Sequence, residues 1–163
     1  MNMGESKGGA VPSIEDVIDA SHKLDPNAPE LLRAYVTAGG SPDDTDPNPK
    51  YSKWSLLRYA VEHWHTDMID ALVELGADVN LRSGSDGFAP IHHAVDSDID
   101  GVVQASVSQA KPVIPFTILS QLVDHGASLT LETPEGETAH DLVSGYGGGF
   151  ALPDFEKLFG AKP

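Results

Sequence analysis

The sequence predicts an all-α protein built of about four helix-turn-helix units that stack in a row. One observation is that similar segments recur along the 163-residue chain, as they do in repeat architectures. Another is that apolar residues within these segments recur every three or four positions, as on one face of a helix. A third is that glycine follows two of the apolar runs, where a left-handed residue commonly ends a helix. Because one helix pair cannot cover its own apolar face, at least three units are expected to share a core.

Three segments of the chain align with one another. The first reads Ser-Leu-Leu-Arg-Tyr-Ala-Val at residues 55–61 and continues to Leu-Gly-Ala-Asp-Val-Asn at 75–80. The second reads Gly-Phe-Ala-Pro-Ile-His-His-Ala-Val at 87–95 and continues to His-Gly-Ala-Ser-Leu-Thr at 125–130. The third begins with Gly-Glu-Thr-Ala-His-Asp-Leu-Val at 136–143.

These segments resemble the ankyrin repeat, in which a Gly-x-Thr-Pro-Leu-His-x-Ala-Ala start leads to a Gly-Ala-Asp-Val-Asn end. The interval from Ser55 to Gly76 equals the usual spacing in that family, and so does the interval from Gly126 to Thr138. The resemblance covers about residues 12–160. It implies a solenoid whose helix-turn-helix units are joined by β-turn or hairpin loops, with atypical terminal units.

The first unit is expected at residues 12–48. Ser13 is the predicted N-cap of a helix over 14–21, and Asp16 stands where a full capping box would carry Glu or Gln. A second helix is predicted over 29–37.

The second unit is expected at residues 49–82. Its second helix carries apolar residues at helical spacing. These residues are Met68, Ile69, Leu72, Val73 and Leu75.

The third unit, residues 83–131, contains an insertion within residues 98–115. Pro90 suits the first turn of its inner helix, where the missing N–H costs little. The insertion is expected between the two helices of this unit. The fourth unit, residues 132–160, is expected to close the stack, with a glycine-rich link at 145–149.

Residues 1–11 are expected to form a flexible tail, and residues 12–163 a single domain. The net charge of −15 disfavours binding to nucleic-acid phosphates or anionic lipid, although it also serves solubility. The N-terminus lacks the apolar core of a signal peptide, and no run reaches the roughly 18 apolar residues of a membrane helix. Cysteine is absent, which fits a reducing compartment. A cytoplasmic protein is expected.

The histidines do not form a recognisable metal site. His63 and His65 lie two positions apart on a predicted helix, and His92 and His93 are adjacent, so the members of each pair diverge. By the resemblance, His92 is a hydrogen-bonding residue between units. His140 stands where the family usually has leucine, so it needs a partner if it is buried. No metal, cofactor or catalytic set is predicted, and the protein is not expected to be an enzyme.

Three acidic clusters lie on predicted loops and exposed faces, which favours solvated or partner-facing roles. They are Asp43-Asp44-Asp46, Asp96-Asp98-Asp100 and Glu132-Glu135-Glu137. Trp54 and Trp64 are each either core residues or interface anchors.

The resemblance implies a concave, partner-binding face made by inner helices and turn tips. Its predicted residues are Tyr59, Glu62, His63, Arg82, Asp86, Phe88, His93, Asp96, Glu132 and Glu135, with Ser83, Ser97 and Thr133 beside them. An acidic face with aromatic groups suits a protein partner with a basic surface. The predicted function is an acidic inhibitor or adaptor for one protein, and its sharper form is an immunity protein that neutralises a bacterial toxin. The alternative is a scaffold subunit that contacts its assembly through residues 98–115.

Overall fold

The computed structural model describes residues 9–48, 53–107 and 110–162. Within these ranges the secondary structure is helical, and the only β-type pairing is two isolated bridges. The helices are α1 (Ile14–His22), α2 (Ala28–Thr37), α3 (Leu56–Glu62), α4 (Thr66–Glu74), α5 (Pro90–Ala105), α6 (Thr117–Asp124), α7 (Ala139–Gly145) and α8 (Leu152–Phe159). The all-α prediction is confirmed.

The helices pack as four consecutive pairs. Each odd-numbered helix contacts the even-numbered helix that follows it, and α1, α3, α5 and α7 contact one another in sequence as a row of inner helices. On the outer side, α2 contacts α4. This arrangement confirms the predicted solenoid. The expected tail at residues 1–11 lies mostly outside the described residues.

One continuous apolar core runs through the stack. Its largest fully buried aliphatic side chains come from several units, so neighbouring units share it. These side chains are Leu32, Leu56, Leu57, Met68, Ile69, Leu72, Ile91, Ile99, Ile114 and Ile118. Gly76 and Gly126 follow α4 and α6 with φ angles of 97° and 95°, which confirms the predicted left-handed helix ends.

The two terminal units begin with capping boxes. Ser13 Oγ accepts the N–H of Asp16 at 3.1 Å, and the Asp16 carboxylate accepts the N–H of Ser13 at 2.7 Å. Thr138 and Asp141 repeat the same exchange at the start of α7. Asp16 stands where the usual capping box carries Glu or Gln, and its shorter side chain still reaches the N-cap backbone, so the box is complete.

The sequence places the insertion between the two helices of the third unit, but the structure builds part of it into the inner helix. Its first part continues the inner helix, so α5 has 16 residues while α3 has 7. Asp98, expected in an exposed acidic cluster, is fully buried. Its carboxylate accepts the N–H groups of Ile118 at 3.1 Å and Leu119 at 2.9 Å. Asp98 thereby caps α6 from the neighbouring helix, because Phe116 at the N-cap position makes no side-chain cap bond.

The turn between α3 and α4 also differs from the prediction. His63 and His65 do not share a helix, because His63 ends α3 and His65 begins α4. Trp64 lies between them with a φ of 56°, a left-handed conformation that is uncommon for a bulky residue. The glycine link after α7 forms a short 3-10 helix, Tyr146–Gly148.

His140 finds the partner that the sequence required. Its Nε2 lies 2.8 Å from a carboxylate oxygen of Glu156 on α8. Its ring packs edge-on against Phe155, with centroids 5.7 Å apart. His140 therefore helps to hold the last helix against α7.

Candidate protein-binding surface

The predicted surface residues differ in how far they reach solvent. Exposed residues are Glu62, Arg82, Asp86, Asp96, Glu132 and Glu135, and half-buried ones are Tyr59, His63 and Phe88. His93, Ser83, Ser97 and Thr133 are buried. The expectation that His93 and its three buried companions face a partner openly is therefore wrong. For the others, contact with a partner stays a prediction.

His93 is buried because three neighbouring side chains enclose it. Its Nδ1 accepts a hydrogen bond from Arg58 Nε at 3.1 Å, and its Nε2 lies 2.5 Å from Glu62 Oε2. Trp54 packs edge-on against its ring at 4.6 Å. Since Nδ1 accepts, the ring proton sits on Nε2 and is donated to Glu62. This hydrogen bond lowers the pKa of Glu62.

Arg58, which was not among the predicted surface residues, connects the second unit to the turn of the third. It is 1% exposed, and its guanidinium donates to both carboxylate oxygens of Asp86, at 2.7 and 3.0 Å. It also donates to the Ser83 carbonyl at 2.5 Å and lies 4.8 Å from the centre of the Trp54 ring. The hydrogen bonds from Arg58 lower the pKa of Asp86. Asp86 is therefore already neutralised within the protein.

A signal for Arg58 was present in the repeat. Arg58 occupies in the second unit the position that His92 occupies in the third. His92 makes the corresponding contact at the end of its own unit, because its Nε2 lies 2.7 Å from the carbonyl oxygen of Leu131. His92 is predicted to bond between units, and the structure places its partner at the last residue of the third unit. Aligning the two segments would have assigned a similar task to Arg58.

A cleft of about 600 Å³ opens between α1 and α3; we call it the α1–α3 cleft. It is lined by Glu15, Ile18, Asp19, His22, Asp46, Asn48, Trp54, Tyr59, Glu62 and His63. Four of these side chains are carboxylates, two are aromatic, and none of the described lining residues is lysine or arginine. The cleft therefore offers negative charge beside flat apolar surface.

Two contacts shape the walls of the α1–α3 cleft. The Tyr59 hydroxyl donates to Asp46 at 2.7 Å, which fixes the ring against the turn. His22 Nδ1 lies 3.0 Å from His63 Nε2, and the rings meet edge to face. Burial, together with the charge of His22, lowers the pKa of His63. His63 therefore contributes to the cleft as one half of a histidine pair.

A smaller cleft of about 220 Å³ lies where α3 meets α5; we call it the Trp64 cleft. It is lined by Glu62, Trp64, Asp96, Ser97, Asp100, Gly101 and Gln104. Glu62 lines both clefts, so they adjoin along the inner-helix face.

Trp64 is both packed and accessible. Its Nε1–H donates to the Ser97 carbonyl at 3.2 Å, and its ring lies so close to Gly101 that an added Cβ there would stand 2.6 Å from it. The residue is still 36% exposed. One edge of the ring thus anchors the turn to α5 while the remainder is available for contact.

The turn tips form an acidic rim next to the inner helices. Arg82 donates to the carbonyl oxygens of Gly87 at 3.3 Å and of Glu132. Its guanidinium therefore links the tips of the third and fourth units. Glu132 and Glu135 project into solvent beside it.

Within residues 9–48, 53–107 and 110–162, no three His, Asp or Glu side chains are arranged to hold a metal ion. No helix in those ranges is both long and apolar enough to cross a membrane. That the protein has no cofactor and no enzymatic activity stays a prediction.

A family model for the ankyrin repeat matches residues 52–84, a stretch that contains α3, α4 and the following turn. The chain is 30% identical over 138 residues to the BTB/POZ domain and ankyrin repeat-containing protein NBCL of Lotus japonicus. That alignment covers 83% of this chain and 24% of the relative. Two BTB/POZ domain and ankyrin repeat-containing proteins of Oryza sativa subsp. japonica are each 32% identical over 88 residues.

The rice alignments cover 53% of this chain and 15% of each relative. The chain thus spans a quarter or less of the length of these relatives. Ankyrin repeats form protein–protein interaction modules, and the stacked helix pairs described above have their architecture. The chain belongs to the ankyrin-repeat family.

Proposed function

We propose that this protein is an acidic adaptor or inhibitor that holds one basic protein along its inner-helix face. The observation that carries the proposal is the α1–α3 cleft, with four carboxylates, the rings of Trp54 and Tyr59, and no lysine or arginine among its described lining residues. Aromatic groups supply contact area, while negative charge selects and steers a positively charged partner. A nucleic acid or an anionic membrane would be repelled by the same face.

The charges inside this face are not equivalent. Asp86 is paired with Arg58, and Glu62 accepts a hydrogen bond from His93. Among the described residues, Glu15 has no comparable partner, and Asp19 pairs only with the exposed Lys23 at the end of its own helix. An exposed pair of this kind contributes little and is easily exchanged. Glu15 and Asp19 are therefore the carboxylates best suited to meet a partner's cation.

The test is a measurement of affinity for the partner recovered from the native host. We expect Glu15→Gln combined with Asp19→Asn to weaken binding at least tenfold, and to flatten its dependence on salt. The matched control is Glu30→Gln with Asp67→Asn, which removes the same charge from exposed positions on the outer helices. Equal affinities for both double variants would refute the proposal.

An immunity protein is the narrower form of this inhibitor, in which the partner is a bacterial toxin. Its support is the acidic, aromatic cleft, which could cover a basic toxin surface, and the absence of cysteine, which fits a cytoplasmic setting. Co-expression should restore growth to cells that produce the toxin encoded next to this gene. A neighbouring toxin that kills co-expressing cells would refute this form.

A scaffold role through the insertion has its own support. Val103, Val107 and Val113 lie in or beside the insertion and are 42%, 106% and 75% exposed, whereas apolar side chains of this size are more often covered. If these residues form the contact, Val107→Asp with Val113→Asp will abolish assembly. Retained assembly would leave the inner-helix face as the interface.

A further inference from the structure

The Trp64 cleft exists because the insertion lengthens α5. Asp100, Gly101 and Gln104 lie on the part of α5 beyond Ile99, in the segment that the insertion adds. Two contacts hold this extension in place. Trp64 packs against Gly101 from one side, and the Tyr146 hydroxyl donates to Asp100 from the other. The extension therefore presents a fixed wall to the groove.

The negative charge of this cleft is not balanced by a neighbouring cation. Glu62, Asp96 and Asp100 line it, and no lysine or arginine is among its described lining residues. The loss of surrounding water raises the pKa of Asp96, and the charges of Asp100, Glu62 and Asp86 raise it further, while His93 opposes them. A cation placed between these carboxylates would relieve their repulsion.

An unpaired buried hydroxyl lies in the same wall. Ser97 lines the cleft and is 8% exposed, and its Oγ has no hydrogen-bond partner among the described residues. Buried polar side-chain atoms nearly always have a partner, so this hydroxyl is available for one further hydrogen bond. The hydroxyl can accept a hydrogen bond from a donor that enters the cleft.

Trp64 adds a flat aromatic surface beside these acceptors. Its φ of 56° is costly for a bulky residue, and residues in such conformations cluster at binding sites. A guanidinium group stacks on indole and donates in a planar fork to carboxylates, whereas an ammonium group acts as a point charge. The acceptors and the ring together favour arginine over lysine.

We propose that the Trp64 cleft binds one arginine side chain of the partner, with the guanidinium beside Trp64 and its N–H groups donated to Asp96 and Asp100. The 220 Å³ volume fits a single side chain rather than a peptide segment. The inference rests on the proposed function and adds to it a specific residue and place. Since Glu62 borders both clefts, the partner residues nearest to this arginine occupy the α1–α3 cleft.

The test uses the full chain and three synthetic peptides, tetra-arginine, tetra-lysine and tetra-citrulline, with affinities measured by calorimetry. Citrulline has the shape of arginine without its charge. We expect the wild type to prefer tetra-arginine to tetra-lysine at least fivefold and to bind tetra-citrulline not at all. Asp96→Asn with Asp100→Asn should weaken tetra-arginine binding at least tenfold and abolish the preference. Circular dichroism of each variant shows that the fold is retained.

Two matched variants separate this inference from the proposed function. Glu15→Gln with Asp19→Asn should weaken both cationic peptides but keep the preference for arginine, because the Trp64 cleft is intact. Glu30→Gln with Asp67→Asn should match the wild type. Wild-type affinity of the Asp96 and Asp100 variant for tetra-arginine would refute the arginine site.

Affinity for the partner from the native host shows whether only the arginine site is wrong or the proposed function as well. Binding that depends on Glu15 and Asp19 but not on Asp96 and Asp100 would refute the arginine site alone. Binding that depends on neither pair would refute the proposed function as well.

Discussion

Replacing Arg58 by alanine removes the side chain that ties the second helix pair to the turn of the third. Arg58 is 1% exposed, and its guanidinium reaches the Ser83 carbonyl, His93 Nδ1 and both oxygens of Asp86. The substitution leaves the first two acceptors buried without a donor. Asp86 is 42% exposed in its side chain, so water can replace its lost partner.

The expected cost follows from these orphaned groups. Each buried acceptor left without a donor costs about 1–3 kcal/mol, while the partly exposed carboxylate adds little. We expect Arg58→Ala to lower the free energy of unfolding by about 3 kcal/mol. In a domain of this size each kcal/mol shifts the melting temperature by about 2–4 °C, so the melting temperature should fall by roughly 6–12 °C.

Urea unfolding at neutral pH, followed by circular dichroism, measures this difference. The matched control is Arg33→Ala, because Arg33 forms only an exposed pair with Glu74 at 3.5 Å. That substitution should change stability by less than about 0.5 kcal/mol. If Arg58→Ala and Arg33→Ala unfold at the same urea concentration, Arg58 does not connect the two units energetically.

Three further predictions concern α5. Asp98→Ala should lower the free energy of unfolding by about 2 kcal/mol at pH 7, because two N–H groups of α6 lose their acceptor; an unchanged urea midpoint would contradict this. Burial raises the pKa of Asp98 from 3.8 to about 6, so the folded protein keeps a proton that the unfolded chain releases. The stability from this group is full below about pH 4 and is lost as pH rises through about 6. Wild type should therefore gain about 2 kcal/mol over Asp98→Asn between pH 7 and pH 4, and an equal difference at both pH values would count against it. Gly101→Ala places a Cβ 2.6 Å from the Trp64 ring, so it should displace the ring and shift tryptophan emission to longer wavelength, which fluorescence spectra would show.

Local signals in the sequence were sufficient for most of the helical framework. Pro90 in the first turn of α5 and the glycines after α4 and α6 act through their own backbone conformations, so their effect can be read without knowing the neighbours. Ser13 likewise caps the helix that follows it within four residues.

The errors arose where residues far apart in the chain determine the outcome. Asp98 is buried because it caps a helix that begins about twenty residues later, and no local pattern announces such a contact. His93 is buried because Arg58 and Trp54 of the preceding unit enclose it. Nothing in the sequence of residues 98–115 indicated that the first part of this segment would continue α5.

The sequence predicted only some of the residues that line the α1–α3 cleft, because the others depend on contacts between distant parts of the chain. Position within the repeat was enough to select Tyr59, Glu62 and His63, which the structure brings to the α1–α3 cleft. It could not select Glu15 or Asp19, because the first unit departs from the repeat pattern and the alignment did not extend to it. Assigning those two residues required the packing of α1 against α3.

Because the insertion lengthens α5 along its own axis, the length of the groove can change with little effect on the stability of the helix stack. A helix grows by continuing its own hydrogen-bond ladder, at about 1.5 Å per residue, so the added turns need no new layer of core residues. Removing one turn beyond Ile99 would shorten the wall by about 5.4 Å and remove its contacts with Trp64 and Tyr146, while the buried side chains of the shared core stay where they are. Relatives that differ only in the length of this helix would therefore bind different partner side chains with the same stack of helix pairs.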